Sequence, residues 1–132
     1  MGLSDRIDMV GHVQHSDLSR YYNEAAAVVV PSIYPEPFGL IGIEAMYFGK
    51  PVVAFDVGGI SEWLKDGENG FLVKFPDKKQ FAERIKLLLE DSSLAEKFGR
   101  NGKEMVKRFL NKEAHINRLL QIYLNVIKEK GL

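Results

Sequence analysis

The sequence contains no cysteine, which excludes disulfide staples and thiolate metal sites and suits a reducing compartment such as the cytoplasm. No apolar run approaches the roughly 20 residues needed to span a bilayer. The opening Met1 to Arg6 also lacks the apolar stretch of a secretory leader. Any meeting with a membrane is therefore expected to be peripheral. An excess of one charge is missing too, since Lys plus Arg and Asp plus Glu each number 18. A nucleic-acid partner would call for a basic footprint, so none is expected. Disorder needs fewer apolar residues or a lopsided charge than a chain that is 45% hydrophobic and 27% charged.

What is present fits one domain with a modest core: 132 residues that alternate strand-like and helix-like segments. Ile7 to Val10, stopped by Gly11, reads as a short strand. Ser16 can cap a helix in which Asp17 suits the first turn, with Leu18, Tyr21/Tyr22 and Ala25 at helical spacing. Ala27 to Val30 and Val52 to Phe55 are continuous, mostly β-branched apolar runs, the signature of parallel strands covered on both faces. Between them a helix is predicted over 40–48, closed by Gly49. A short helix over 60–65, a turn at 66–70 and a last strand over 71–73 follow. Asp77 can then cap a helix with Phe81, Ile85 and Leu88/Leu89 on one face.

The remainder is predicted to be helical in two or three pieces, forming a C-terminal tail from about residue 101. Ile116, Leu119/Leu120, Tyr123/Leu124 and Ile127 make a long amphipathic stripe there. From Arg100 onward eight Lys/Arg face only three acids. Such a run can rest on anionic lipid or phosphate, but it reads first as a solvated helix face. The alternation as a whole predicts an α/β fold, a Rossmann-like parallel sheet of about four strands with flanking helices.

The chemistry lies in Pro31 to Pro51. A buried strand ends, and its loop delivers Glu36 to the carboxyl edge of the sheet, where open α/β sheets bind ligands. Pro35 and Pro37 hold that loop extended. Phe38, Gly39 and Leu40 then open a helix whose first N–H groups have no intrahelical acceptor and carry the positive end of its dipole. That end suits a phosphate. Glu44 lies one turn in, on the face of Leu40, with its side chain leaning back toward the helix start. A carboxylate there would repel a phosphate but could accept hydrogen bonds from neighbouring hydroxyls. An acid near a helix start is favourable by about 0.3–1 kcal/mol with no ligand at all. Position 48, four residues on, is Phe, so no ion pair on that side accounts for Glu44.

Glu36 and Glu44, with seven residues between them, inside Glu-Pro-Phe-Gly-Leu and followed by Glu-Ala-Met and Gly-Lys-Pro-Val-Val-Ala, resemble the E-x7-E signature of family 4 glycosyltransferases. These are the group 1, GT-B enzymes. Further matches run in order through Gly11-His12-Val13, Pro31-Ser32, Gly58-Gly59-Ile60-x-Glu62, Asp66-Gly67-x-x-Gly70-Phe71-Leu72-Val73 and Phe109 to Ala114. The likeness covers nearly the whole chain, and the ordered set is far more specific than any one Gly-rich loop. A GT-B epimerase or phosphorylase fits less well, because Glu-Pro-Phe-Gly-Leu is the transferase pattern and no cofactor-lysine motif occurs.

The resemblance implies that residues 1–132 form one partial nucleotide-sugar-binding domain, part of the C-terminal half of a retaining hexosyltransferase. It implies that Glu36 meets hydroxyls of the transferred sugar and is the catalytic-site acid, while Glu44 meets the ribose. N–H groups of Phe38, Gly39, Leu40 and Ile41 would face the sugar and distal phosphate. Gly11, His12 and Val13 would border the base, and Gly58 and Gly59 the same cleft. The donor would be a UDP-, GDP- or ADP-sugar, with neither cofactor nor metal. In keeping with that, the sequence has no Asp-x-Asp, and His12 and His15 lack the further donors a zinc site needs.

Three family features are not found in this sequence: the acceptor domain, the first two strand–helix units of the donor domain, and the Arg/Lys pair that grips the diphosphate. The chain alone is therefore expected to be inactive. Its strand at 7–10 is expected either to pair directly with that at 28–30 or to leave edges that a second copy covers, giving a homo-oligomer. A non-catalytic, oligomeric folding or interaction unit is the alternative reading.

Overall fold

The computed structural model describes residues 2–131; Met1, which begins the segment read for a leader, and Leu132 lie outside them. Three parallel strands, β1 (Val28–Val30), β2 (Val52–Phe55) and β3 (Gly70–Val73), lie side by side in chain order. Val28 pairs with Val52, and Val52 in turn with Gly70. Helix α1 (His15–Glu24) precedes the sheet; α2 (Leu40–Tyr47) and α3 (Ile60–Trp63) make the two crossovers. Helices α4 (Lys78–Glu90), α5 (Ser92–Phe109) and α6 (Lys112–Lys130) complete the chain.

Strand β2 organises the core. Successive residues of a strand point to opposite faces, and β2 sends Val52 and Ala54 to one cluster and Val53 and Phe55 to the other. The first cluster contains Ile43 and Met46 of α2, Ile60 and Trp63 of α3, and Val106 of α5. The second contains Phe71 and Val73 of β3, Phe81 and Leu88 of α4, and Phe98 of α5. Each fully buried Val, Leu or Ile contributes roughly 1.5–3 kcal/mol of transfer free energy. A continuous apolar run is thus the right sequence for a strand with two covered faces.

Helix ends follow local chemistry. Lys50 N–H donates to Ala45 C=O and Gly49 N–H to Met46 C=O, both at 2.9 Å, the paired bonds of a Schellman motif that closes α2. Asp77, Asp91 and Asn111 each accept from the third backbone N–H of the helix they open, at 2.9–3.0 Å. Asn69, buried in the turn before β3, accepts from Lys65 N–H and donates to Trp63 C=O.

Several expectations are corrected. The sheet has three strands among the described residues, where about four were predicted. Ile7 to Val10 forms no strand and does not pair with β1, whose outer edge stays unpaired among the described residues, and Met9 is 90% exposed. Ser16 is not a cap: α1 starts at His15 behind Gln14, with no side-chain cap. Helix α3 stops at Trp63 rather than Lys65. On α4 only Leu88 of the Leu88/Leu89 pair is buried, since Leu89 lies a further 100° round the helix and is 63% exposed. The helical tail expected from about residue 101 begins inside α5, which buries Phe98 and Val106 in the core, and no residue of α6 is buried.

Candidate functional site

The loop from β1 to α2 is held from below by α3. Gly39 is the N-cap of α2, with φ +81° in the left-handed region that favours glycine, and no side chain caps the helix. Trp63 lies beneath: its indole N–H donates to Phe38 C=O, and its ring fills the space where a Cβ on Gly42 would stand. Above this support the first turn of α2 is open, with Leu40 and Ile41 exposed. Gly39 and Gly42 beneath are buried, and Gly42 N–H donates to Gly39 C=O at 3.1 Å, so the dipole's positive end lies at the carboxyl end of β1 with its outer side, at Leu40 and Ile41, exposed.

Gly58 and Gly59 secure Glu36 from the next loop. Gly59 N–H donates to Glu36 C=O at 2.9 Å. A Cβ at Gly58 would sit 2.2 Å from Glu36 O, and one at Gly59 2.2 Å from Pro37 O. Gly58 has φ +57°, so side-chain space and backbone conformation both restrict the position to glycine. The pair touches the Glu36 loop backbone to backbone, which a turn-forming Gly-Gly alone does not require.

Each acid is held by a hydroxyl of its own chain. Ser32 Oγ donates to Glu36 Oε2 at 2.8 Å, and Tyr22 Oη donates to Glu44 Oε2 at 2.8 Å. Tyr22 is further fixed by stacking on Phe48, with ring centroids 5.3 Å apart. Burial first, and then the bonded Glu44 carboxylate beside it, push the Tyr22 phenol well above its ordinary pKa, so it stays a donor. Glu44 forms part of a cleft of about 350 Å³ between α1 and α2, walled by His15, Leu18, Tyr22, Tyr47 and Phe48 and bounded by Leu110. His12 and Val13 line a second cleft of about 380 Å³ on α1, which shares Ser19 with the first. Gly11, with φ +68°, turns the chain just before it.

The structure thus brings Glu36, Phe38, Gly39, Leu40, Ile41, Gly58 and Gly59 together around one helix start, with Glu44 a turn along. His12 and Val13 border the neighbouring cleft, with Gly11 in the turn just before them. Sequence reasoning missed Trp63, Ser32 as a partner of Glu36, and Tyr22 as a partner of Glu44. The spacing of Ser32 and Glu36 was a local signal, whereas the Tyr22 contact joins residues 22 apart on different helices. Phe38 also stacks on Phe109 at the end of α5, with centroids 5.7 Å apart, so the α5–α6 junction adjoins the same loop.

The family model "Glycosyl transferases group 1" matches residues 1–105. The chain belongs to this family. It is 38% identical over 109 residues to D-inositol 3-phosphate glycosyltransferase 2 of Catenulispora acidiphila, covering 83% of the chain and 25% of that protein. It is 34% identical to the capsular polysaccharide biosynthesis glycosyltransferase CapM of Staphylococcus aureus, covering 92% of the chain and 31% of CapM. Among solved structures, sucrose-phosphate synthase from Thermosynechococcus elongatus superposes with TM-score 0.84 at 40% identity, covering 96% of the chain and 32% of that structure. Anabaena HepE in complex with UDP-glucose superposes with TM-score 0.82 at 30% identity, covering 95% and 34%. The group 1 glycosyltransferase chain therefore spans a quarter to a third of these relatives, and its three-stranded sheet is part of a GT-B fold. Among the described residues no cluster of His, Cys, Asp or Glu could hold a metal ion, and no helix is long and apolar enough to cross a membrane.

Proposed function

We propose that residues 1–132 form a partial domain that binds the nucleotide-sugar donor of a retaining, metal-independent hexosyltransferase. The observation that carries this reading is the start of α2, which no side chain caps and where Leu40 and Ile41 are exposed, with Glu36 in the loop before it and Glu44 one turn inside. HepE, a relative of the same fold, binds UDP-glucose. In this proposal the N–H groups from Phe38 to Ile41 meet the distal phosphate. They stabilise the negative charge that builds on the leaving diphosphate while the sugar becomes oxocarbenium-like. Glu36 orients hydroxyls of the transferred sugar and Glu44 those of the ribose. Gly11, His12 and Val13 border the base, and Gly58 and Gly59 keep the Glu36 loop in place. The cysteine-free chain suits the cytoplasm as the setting.

The test is a calorimetric titration with UDP-, GDP- and ADP-glucose. One of the three is expected to bind, and Glu44→Ala to weaken it about ten-fold, the worth of about one hydrogen bond to a charged group. Equal affinity for both proteins would remove Glu44 from the site, and no binding of any of the three would sink the donor reading.

A second reading is favoured by one observation: the apolar stripe of α6 and the outer edge of β1 have no cover among the described residues. On that reading the chain is a non-catalytic unit that associates with copies of itself. A monomeric mass by sedimentation at micromolar concentration removes it.

A further inference from the structure

We propose that Tyr22 is a positioning residue for Glu44, a role that rests on the donor-site reading above. Its hydroxyl engages Oε2 of Glu44 at 2.8 Å, so one oxygen of the carboxylate is occupied within the protein. The other is left to accept from a ligand. A half-buried carboxylate at the mouth of a cleft otherwise samples several rotamers, and a ligand would have to order it at an entropic cost. Here the cost is met on folding. Tyr22 cannot swing away easily, because its ring stacks on Phe48 and helps wall the cleft that Glu44 enters.

The choice of a phenol has a chemical reason. A lysine or arginine at position 22 would also fix Glu44, but it would neutralise the acid and pull its electron density away from an incoming hydroxyl. A phenol donates one hydrogen bond and leaves the carboxylate charged, hence a strong acceptor. The acid therefore keeps its affinity for a pair of vicinal hydroxyls and stays oriented toward the cleft.

The experiment compares wild type, Tyr22→Phe, Glu44→Gln and the double variant. Tyr22→Phe keeps the ring stacked on Phe48, so its melting temperature should change little. The first readout needs no ligand: the 13C shift of the Glu44 carboxyl carbon should move in Tyr22→Phe, and an unchanged shift overturns the contact. The second readout is titration with UDP and with 2′,3′-dideoxy-UDP. Tyr22→Phe is expected to weaken UDP about two- to ten-fold, the cost of ordering one freed side chain on binding. It should have no effect in the Glu44→Gln background or on the dideoxy compound.

An equal loss on both nucleotides would make Tyr22 merely structural, and unchanged or tighter UDP binding would overturn the proposal outright. If wild type binds neither UDP nor GDP nor ADP, the donor reading fails, and the positioning role for ligand fails with it. The carboxyl shift then still reports whether Tyr22 holds Glu44.

Discussion

Strand β2 and helix α6 both carry apolar residues at the spacing of their element and meet opposite fates. Val52 to Phe55 are at most 5% exposed, whereas Ile116, Leu119, Leu120, Tyr123, Leu124 and Ile127 all stay exposed. β2 is flanked by β1 and β3 in its own plane and by helices above and below, so each face of its period-2 pattern finds a partner. The stripe of α6 is a face that asks for cover, and the pattern does not name what covers it. A sequence pattern thus specifies which surface must be buried more firmly than against what. The candidate site lies on the well-covered side, where Trp63 and the glycines of two loops hold one helix start in place.

The sharpest way to test that difference is to remove the support. Trp63 is 1% exposed, fills the space under Gly39 and Gly42, and donates to Phe38 C=O. Trp63→Ala is expected to cost about 3–5 kcal/mol in urea unfolding, as large aromatic truncations in cores do. Leu64→Ala, at 0% exposure in the same cluster, should cost about 2–5 kcal/mol. A Trp63 variant as stable as wild type would mean that α2 does not rest on α3.

A smaller effect is expected at Gly58, where the support is backbone on backbone. Gly58→Ala places a methyl group 2.2 Å from Glu36 O at φ +57°, so the Glu36 loop must shift. The expected cost is about 1–3 kcal/mol, the range for a strained non-glycine backbone. Gly67, also at positive φ but with open space around its Cβ position, provides the comparison. Gly67→Ala should cost the conformational part alone. Thermal unfolding of both variants separates the two contributions, and equal losses would show that contact with Glu36 adds nothing.

Much of this was legible in the sequence because it is local. The runs at 27–30 and 52–55 announced strands, though only the second is buried on both faces, Val29 of β1 being 38% exposed; Asp77 announced a cap, and Glu36 through Glu44 a loop and helix start with two acids. The strand expected at 7–10 failed for a non-local reason: pairing depends on where the chain lies relative to the free edge of β1, which the apolar residues of 7–10 do not encode. Leu88 and Leu89 could not be ranked by spacing alone, since the orientation of α4 against β2 and Phe98 decides which one is buried. The hold of Tyr22 on Glu44 and of Trp63 under α2 depends on how helices cross, which no single-segment pattern encodes.

The smallest expected effect lies on α6. Leu120 is 52% exposed and contributes to neither core cluster, so Leu120→Ala in the dilute monomer should change stability by less than about 0.5 kcal/mol. Placed beside Leu64→Ala, this makes one chemical deletion a probe of two environments. The comparison breaks if Leu120→Ala costs as much as Leu64→Ala, and protein concentration identifies the reason. A loss that grows with concentration means a second copy covers the stripe, because stability drawn from association follows mass action. A loss independent of concentration means that α6 folds back on its own chain, and the covered face then belongs to the same core as β2.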